Sequence, residues 1–506
     1  FLTMTQTGEE SQRETTQSKW RWPVLLLMAT LYLGSSYVYD TPEALQTQMM
    51  APPLNLSYFE FDSLYSVYSS PNIVLPLLGG VLMKFLGLKF GVILFATLVF
   101  LGQMTFTVGI FLESYGLLIT GRIIYALGAE SLSVAQSVIA VKWFSATELT
   151  LVLGWNNCVC YLGSTINILT TPMIYQTTEK IWLPSLIGSF VCLGSLLSAI
   201  GYCIIDKIAC KKGDTTISYF QEEERVTWQD MKKASLVYWL LCIYYCIMFI
   251  SFDGFTENMN DFVHQRFGFS NEVSGYLGVI YYLQLCLIPP IIGTACDKFG
   301  YRAHWLAGVG VLTLIGQSLA AFLPNYDNDG YIVIAPLLLL GFSDAVFETA
   351  TWSCLLLSLE PKLTGLGFGF ATSGMNATNF FALMIIGNIQ DWTADDDKFG
   401  YYYSQIFLIG VAIVCILLAV GIIIADIKRT KVLLKPLGEE ELIAPLLASR
   451  LGSSLAKAQN SSQIRAASVV DRPTSKPVST EERHSKSSLE RQNSHEEEPR
   501  KLDFLQ

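Results

Sequence analysis

Among the ionisable side chains inside apolar stretches that are long enough to cross a membrane, four stand out: Arg122, Glu130, Asp344 and Glu348. An ionised side chain in the hydrocarbon region of a bilayer costs at least about 2.5–3.5 kcal/mol on insertion scales. A residue that carries this cost faces either a polar cavity or a charged partner on another helix. These four residues are therefore the first candidates for a site that binds a charged small molecule.

Arg122 and Glu130 share one face of a predicted helix with Ala126 and Ser133, at steps of three or four residues. Eight residues correspond to about 12 Å along a helix axis, which is too far for a direct ion pair. Two opposite charges at that spacing can span a small zwitterion. The alternative, in which a neighbouring helix neutralises each charge, stays open.

Asp344 and Glu348 lie one helical turn apart and therefore on the same face of their predicted helix. Desolvation and like-charge repulsion both oppose two ionised carboxylates in this setting. The pair could therefore take up and release a proton, or bind a cationic substrate. In the alternative interpretation, one acid bonds to a partner helix and the other lies near the membrane boundary.

Further polar and aromatic residues in the apolar stretches complete the predicted substrate site. They are Tyr37, Asn157, Tyr161, Trp352 and Asn376. The alternatives are ordinary packing for the aromatic rings and interhelical hydrogen bonds for the amides. The sequence contains no glycine-rich nucleotide loop, metal-ligand cluster or nucleophile triad, so we expect no cofactor, no metal and no enzymatic activity.

The composition predicts which elements position these residues. The chain has 506 residues, of which 51% are hydrophobic and only 15% charged, whereas a soluble chain carries about 25% charged residues. Twelve apolar stretches have spanning length, at 22–40, 61–83, 89–112, 115–141, 148–175, 183–205, 235–254, 273–295, 303–323, 331–358, 365–390 and 402–425. The sequence therefore predicts an all-α membrane protein with twelve transmembrane helices.

A polar segment divides the twelve stretches into two groups of six. The predicted organisation is a cytosolic N-terminal tail, a six-helix bundle, a cytosolic linker, a second six-helix bundle and a disordered cytosolic tail, at 1–21, 22–205, 206–234, 235–425 and 426–506. The tail is rich in charged residues and serine and cannot bury enough apolar surface to fold alone. The net charge of −10 argues against nucleic acid as a partner.

The distribution of lysine and arginine predicts the orientation of the chain in the membrane. With the N-terminus in the cytosol, most of them fall on the cytosolic side, and only Lys180, Arg266 and Lys398 fall on the opposite side. Both termini are therefore predicted to be cytosolic. The sequon Asn55-Leu56-Ser57 then lies on the luminal or extracellular side, where Asn55 can be glycosylated.

Two corresponding loops carry related sequences. The segment 293–302 contains Asp297, Lys298, Gly300 and Arg302, and the segment 80–89 has the same layout with Lys84 in the place of the acid. The first pattern resembles the loop signature of the major facilitator superfamily. The resemblance implies two six-helix bundles that rock about a midplane site, with Asp297, Lys298, Gly300 and Arg302 as gating residues whose acid bonds across to the other half.

Two further stretches give a closer resemblance. Residues 39–48, Tyr-Asp-Thr-Pro-Glu-Ala-Leu-Gln-Thr-Gln, and residues 121–136 of the fourth span are similar to the major facilitator superfamily domain-containing protein 1 group. That group consists of lysosomal dipeptide uniporters, which work with a glycosylated single-span partner. The resemblance implies a lysosomal membrane protein in which Glu130 meets the amino group of a peptide.

One position departs from that group. Members carry an arginine two residues before the motif Gly163-Ser164-Thr165, where it suits the capture of a carboxylate, and this chain has Tyr161 there. A phenol donates one hydrogen bond and supplies no charge. Either Arg122 or another group receives the carboxylate, or the substrate is not a dipeptide.

The sequence thus favours a secondary transporter of dipeptides or related zwitterions in a lysosomal membrane, working by alternating access. Two alternatives stay open, a proton-coupled symporter of another small metabolite and a membrane scaffold or accessory subunit that transports nothing. The expected partners are a small-molecule substrate, membrane lipid and an accessory subunit with a single span. The plasma membrane is the alternative location.

Overall fold

The computed structural model describes residues 19–144, 146–211, 228–232, 234–326, 330–360, 363–395, 400–429 and 431–434. In these residues all regular structure is helical. The first half contains α1 Arg21–Tyr39, α2 Thr41–Ala44, α3 Gln46–Met50, α4 Tyr58–Asn72, α5 Leu75–Leu86, α6 Leu88–Phe111, α7 Tyr115–Trp143, α8 Ala146–Thr178 and α9 Trp182–Lys211.

The remaining helices follow the polar linker. They are α10 Trp228–Met231, α11 Leu236–Thr256, α12 Met259–Phe267, α13 Asn271–Leu287, α14 Pro289–Phe299, α15 Arg302–Phe322, α16 Ile334–Leu357, α17 Thr364–Trp392 and α18 Tyr401–Arg429. A short 3₁₀ turn at Tyr331–Val333 leads into α16.

Each of the twelve predicted stretches is a long helix or a pair of consecutive helices, so the predicted fold class is confirmed. The second span is the pair α4 and α5, and the eighth is the pair α13 and α14, which bends by 41°. The bend falls where Pro289 and Pro290 begin α14, because proline has no N–H to donate to the preceding turn. Among the described residues, eight helices meet a strict test of length and apolarity, and the bent pair makes nine.

The helices that fail this test carry polar side chains into the protein interior. α8 buries Asn156 and Asn167, and α17 buries Asn376 and Asn379. Amides inside a membrane protein need hydrogen-bond partners from other helices, so these helices are shielded from lipid on their polar side. Packing against neighbouring helices thus lets α8 and α17 span the membrane although their own apolarity is too low for the test.

Buried apolar side chains form three clusters. One draws only on residues 24–209 and another only on residues 231–433, so each half has its own core. The third contains residues of both halves and includes the short helices α2, α3 and α12. In the predicted orientation this shared core lies at the luminal ends of the spans.

Hydrogen bonds reinforce this luminal contact between the halves. Gln46 Nε2 donates to Asn258 Oδ1 at 2.6 Å, and Thr47 Oγ1 donates to Asp261 Oδ1 at 2.7 Å. The carboxylate of Asp391 accepts from the backbone N–H groups of residues 58 and 59, at 2.8 and 3.0 Å. These N–H groups belong to the first turn of α4 and have no partner within their own helix. A residue of the second half therefore caps a helix of the first.

The gating residues predicted from the loop signature lie at the cytosolic end of the second half. Asp297 Oδ1 accepts from Arg302 Nη2 at 2.9 Å, Lys298 lies over the ring of Phe299, and Gly300 ends α14 with a φ of +68°. The expected bond from Asp297 to the other half is not the contact seen in this conformation, because the partner of Asp297 is Arg302 in its own half. The gating role stays a prediction.

The predicted tails and linker fall largely outside the described residues. Residues 1–18, 212–227 and 435–506 are not described. The second bundle continues beyond the predicted end at 425, since α18 runs to Arg429 and the backbone N–H of Arg302 donates to the oxygen of Leu433 at 2.8 Å. Residues 431–434 therefore pack against the start of α15.

Candidate functional site

A polar cavity of about 230 Å³ lies between the two halves. Its walls come from α1, α4, α7 and α8 of the first half and from α11, α13, α16 and α17 of the second. A larger groove, of about 360 Å³, lies between α15 and α16 and has an almost entirely apolar lining. We take the polar cavity as the candidate site because it contains three of the four predicted intramembrane charges, Glu130, Asp344 and Glu348.

Glu130 lies on the wall that the first half provides, near the middle of α7. Tyr68 of α4 donates a hydrogen bond from its hydroxyl to Glu130 Oε1 at 3.2 Å. The bond fixes the side chain while the second carboxylate oxygen stays available. Glu130 therefore lines the cavity, and its contact with a substrate stays a prediction.

Asp344 and Glu348 lie on the wall that the second half provides, one turn apart on α16. Tyr281 donates to Asp344 Oδ2 at 2.9 Å, and Trp352 Nε1 donates to Glu348 Oε2 at 3.2 Å. Trp352 itself does not line the cavity, so its effect on a bound molecule passes through Glu348. The structure brings both acids to the cavity, and their role in coupling stays a prediction.

Two further acids line the cavity that we did not predict as site residues, Asp40 and Asp253. Asp40 follows the last residue of α1, and Tyr282 donates to its Oδ1 at 3.5 Å. Asp253 lies on α11 and accepts a hydrogen bond from Asn379. Asp253 falls inside the predicted span 235–254, so the same test that selected Glu130 could have found it.

Arg122 lies behind the cavity wall and does not line the cavity. Its Nη1 and Nη2 donate to the backbone oxygen of Tyr39 at 3.2 Å, and its Nε donates to that of Leu64 at 3.3 Å. The guanidinium lies 4.6 Å from the ring centroid of Tyr65, with other aromatic rings around it. In this conformation Arg122 joins α7 to α1 and α4, and a contact between Arg122 and a substrate stays a prediction.

The remaining predicted residues are divided between the cavity and other surroundings. Tyr161 and Asn376 line the cavity. Tyr37 does not; its hydroxyl bonds to that of Thr170 at 3.1 Å. Asn157 is exposed on the outside of α8, away from the cavity lining. The glycosylation candidate Asn55 is exposed in the turn between α3 and α4, and its modification stays a prediction.

The sequence profile described as the Major Facilitator Superfamily matches residues 24–383 and 241–460, which together cover most of the chain. The chain belongs to the major facilitator superfamily. This confirms the family predicted from the loop signature.

Relatives with assigned names support the closer resemblance. The human protein "Lysosomal dipeptide transporter MFSD1" is 30% identical over 399 residues, which cover 76% of this chain and 82% of the relative. The zebrafish (Danio rerio) protein of the same name is 29% identical over 416 residues, with coverage of 80% and 86%. The predicted membership of this group is confirmed.

Solved structures show the same fold at low sequence identity. The nucleoside transporter NupG aligns with a TM-score of 0.61 at 11% identity, covering 79% of this chain and 99% of NupG. A bacterial homologue of the human lysosomal transporter Spinster aligns with a TM-score of 0.63 at 14% identity, covering 83% and 100%. At such identities the likeness concerns the fold alone.

These findings establish what kind of protein this chain is. It is a membrane transporter for a small molecule and not an enzyme. The names of its relatives also confirm the predicted location, a multi-pass protein of the lysosomal membrane.

Proposed function

We propose that this transporter moves dipeptides or related small zwitterions across the lysosomal membrane by alternating access. The observation that carries the proposal is the position of Glu130 on the wall of a cavity between the two halves. A carboxylate at that site can accept hydrogen bonds from the ammonium group of a peptide, and charge-assisted bonds of this kind are short and strong. The relatives named as dipeptide transporters support the same substrate class.

The contacts between the halves support alternating access. The shared apolar core and the hydrogen bonds of α2, α3 and α12 close the luminal end, while the two other cores each belong to one half. Rocking the halves about the cavity would break the luminal contacts without unpacking either core. In that second state Asp297 would be able to reach the other half.

The proposal is tested by dipeptide uptake into liposomes that contain the purified transporter. Replacing Glu130→Gln keeps an oxygen that accepts from Tyr68 and removes the charge. We expect uptake to fall roughly 10–100-fold, since a hydrogen bond to a charged group contributes about 1.5–3 kcal/mol. Asp395→Asn is the matched control, because Asp395 is an exposed acid on the luminal side. Undiminished uptake by Glu130→Gln would remove Glu130 from the mechanism.

Proton-coupled symport is the second candidate, favoured by the presence of Asp344 and Glu348 on the cavity wall. In this case an inward-directed pH gradient accelerates uptake, and Glu348→Gln abolishes the acceleration. Uptake that ignores the gradient in both proteins would exclude the symport.

The remaining prediction concerns a partner. The accessory subunit with a single span stays a prediction from the resemblance. Co-purification of the full chain from its native membrane would test it.

A further inference from the structure

The luminal joint between the two halves contains two buried glutamates that bond across it. Glu43 belongs to α2 of the first half and Glu257 follows the last residue of α11 in the second, and they are 1% and 2% exposed. Tyr282 of the second half donates to Glu43 Oε2 at 2.8 Å, and Tyr39 of the first donates to Glu257 Oε1 at 3.0 Å. Each carboxyl group therefore connects its own half to a phenol of the other.

The surroundings of these two carboxyl groups are mainly acids and phenols. In the part of the chain that the structure describes, neither has an ion-pair partner. The titratable and charged groups that face them are Tyr39 and Asp40 at the end of α1, Tyr65 of α4, Arg122 of α7, Asp253 of α11 and Tyr282 of α13. The guanidinium of Arg122, the one cation among these groups, donates to the backbone oxygens of Tyr39 and Leu64. Ionised carboxylates at this joint are therefore costly.

Several acceptors at the joint have no hydrogen-bond partner. Glu43 Oε1 and Glu257 Oε2 are buried without one, and so are the side-chain oxygens of Gln46 in α3 and Asn260 in α12. Buried acceptors require donors. An ionised carboxylate only accepts, whereas a protonated carboxyl group also donates one hydrogen bond. Protonation of the two glutamates thus supplies donors that the ionised joint lacks.

Burial also changes the proton affinity of both carboxyl groups, which lie beyond the ends of the predicted spans. Burial raises the pKa of Glu43 well above its usual range, and the neighbouring Asp40 adds to the rise. Burial raises the pKa of Glu257 in the same way, with a further contribution from Asp253. When the joint opens, water reaches both groups and each pKa falls towards about 4.3. The closed joint therefore binds protons more tightly than the open one, and it loses stability as the pH rises above that value.

We propose that Glu43 and Glu257 form a proton-operated latch between the halves. Protonated from an acidic lumen, they hold the luminal end closed; ionised at neutral pH, they let it open. This inference rests on the proposed function, because it assigns the luminal joint a step in alternating access. It differs from proton-coupled symport, since the latch responds to the luminal pH itself and needs no gradient across the membrane. In an acidic lysosome the latch favours the state from which a substrate leaves to the cytosol.

The test measures amide hydrogen–deuterium exchange in the purified full chain at about pH 5 and about pH 7.5, with no gradient present. Residues 41–50 and 257–267 report on the luminal joint, and residues 200–211 report on the cytosolic end of α9. After correction for the chemical exchange rate, we expect exchange at the joint to be at least about tenfold faster at the higher pH. Each unit of pKa difference between the closed and open states is a factor of about ten in their equilibrium. The cytosolic segment should keep the same corrected rate.

The variants assign the response to the two glutamates. Glu43→Gln combined with Glu257→Gln replaces both carboxyl groups with neutral amides, whose oxygens can still accept from Tyr282 and Tyr39. Exchange at the joint should then be as slow at the higher pH as at the lower. Glu257→Gln alone should reduce the rise, and it serves if the double variant does not fold. Asp395→Asn, an exposed luminal acid, is the matched control and should keep the full rise.

The outcomes separate the latch from the proposed function. Corrected exchange that is equal at the two pH values overturns the latch, as does a full rise in the double variant. An equal rise in the luminal and cytosolic segments also overturns it, because the whole protein then loosens. Each of these results leaves dipeptide transport intact, since uptake into liposomes is measured separately. A luminal joint that follows the pH in a protein without dipeptide uptake supports the latch and overturns the proposed function.

Discussion

The luminal and cytosolic ends of the transporter use their acidic residues in opposite ways. At the luminal end, Tyr39 of the first half donates to Glu257 of the second at 3.0 Å, and Tyr282 of the second donates to Glu43 of the first at 2.8 Å. These carboxylates connect the two halves through neutral donors. The luminal contact can therefore be broken without separating an ion pair.

At the cytosolic end, the described ion pairs stay within one half. Asp206 is buried at the end of α9 and lies 2.9 Å from Lys89 Nζ and 2.5 Å from Lys142 Nζ, all in the first half. Asp297 and Arg302 form the corresponding pair in the second half. The halves also approach each other where Gly369 of α17 meets the backbone of Pro76. The comparison teaches that the described ion pairs lie within one half, while the hydrogen bonds between the halves join carboxylates to neutral donors.

A covalent bond between the halves should have the largest effect. Cys158 Sγ of α8 lies 3.4 Å from the backbone oxygen of Cys286 of α13, and Cys286 Sγ lies 3.7 Å from that of Cys158. Oxidation with copper phenanthroline should join the two thiols and stop uptake almost completely, because the halves can no longer rock. A reductant should restore uptake, and Cys286→Ser should resist the treatment. Full uptake by the cross-linked protein would contradict a rocking cycle.

The next effect concerns the rigidity of the first half. Arg122→Lys removes the planar fork that reaches the oxygens of Tyr39 and Leu64, and leaves buried acceptors without donors. We expect a loss of about 2–4 kcal/mol in the free energy of unfolding, seen as a lower melting temperature. Lys207→Arg, an exposed change at the cytosolic end of α9, is the control. An unchanged melting temperature would show that Arg122 does not hold the half together.

A smaller effect is expected at the luminal joint. Asp391→Ala removes the cap on the first turn of α4, and loss of a helix cap costs about 0.5–2 kcal/mol. Hydrogen–deuterium exchange should therefore rise in residues 41–60 and stay unchanged at the cytosolic ends. Asp395→Asn should leave both regions unchanged. An equal rise in exchange at the luminal and cytosolic ends would contradict a luminal contact that Asp391 stabilises locally.

The smallest effect is expected from Asp297→Asn. The carboxylate side chain is 37% exposed and pairs with the buried Arg302 of the same half. Asparagine keeps an oxygen that can accept from Arg302, so the change should lower the free energy of unfolding by less than about 1 kcal/mol. If Asp297 reaches the other half in the second state, the rate of uptake should fall clearly although the free energy of unfolding changes little. A large loss of stability with normal uptake would assign Asp297 a purely structural role.

Much of this architecture could be predicted from the sequence. Lipid restricts a spanning chain of this kind to helices, and their length and apolarity can be measured directly on the sequence. The position of Glu130 at a cavity was one of the two placements that the same reasoning allowed. The side of the helix on which an individual residue lies, buried or exposed, could not be predicted in this way. Asn156 is buried and Asn157 is exposed, although they are adjacent on α8. Successive helical residues differ by about 100° in direction, so a small error in helix rotation exchanges them.

The partners of Arg122 could not be predicted for a different reason. Its hydrogen bonds reach the backbone oxygens of Tyr39 and Leu64, which lie 83 and 58 residues away along the chain. Backbone oxygens occur at every residue and carry no sequence signal. Asp253 was missed although its position inside an apolar span was visible, because it lies at the end of that span where a charge can reach the surface.

The central claim is that a carboxylate of the first half binds the substrate in a cavity between the halves. Its most direct test is the stabilisation against heat that alanyl-alanine gives to the purified protein and to Glu130→Gln. We predict that both proteins melt at the same temperature without ligand and that only the native protein is stabilised by the dipeptide. Equal stabilisation of the two proteins, at equal dipeptide concentrations, would contradict the claim.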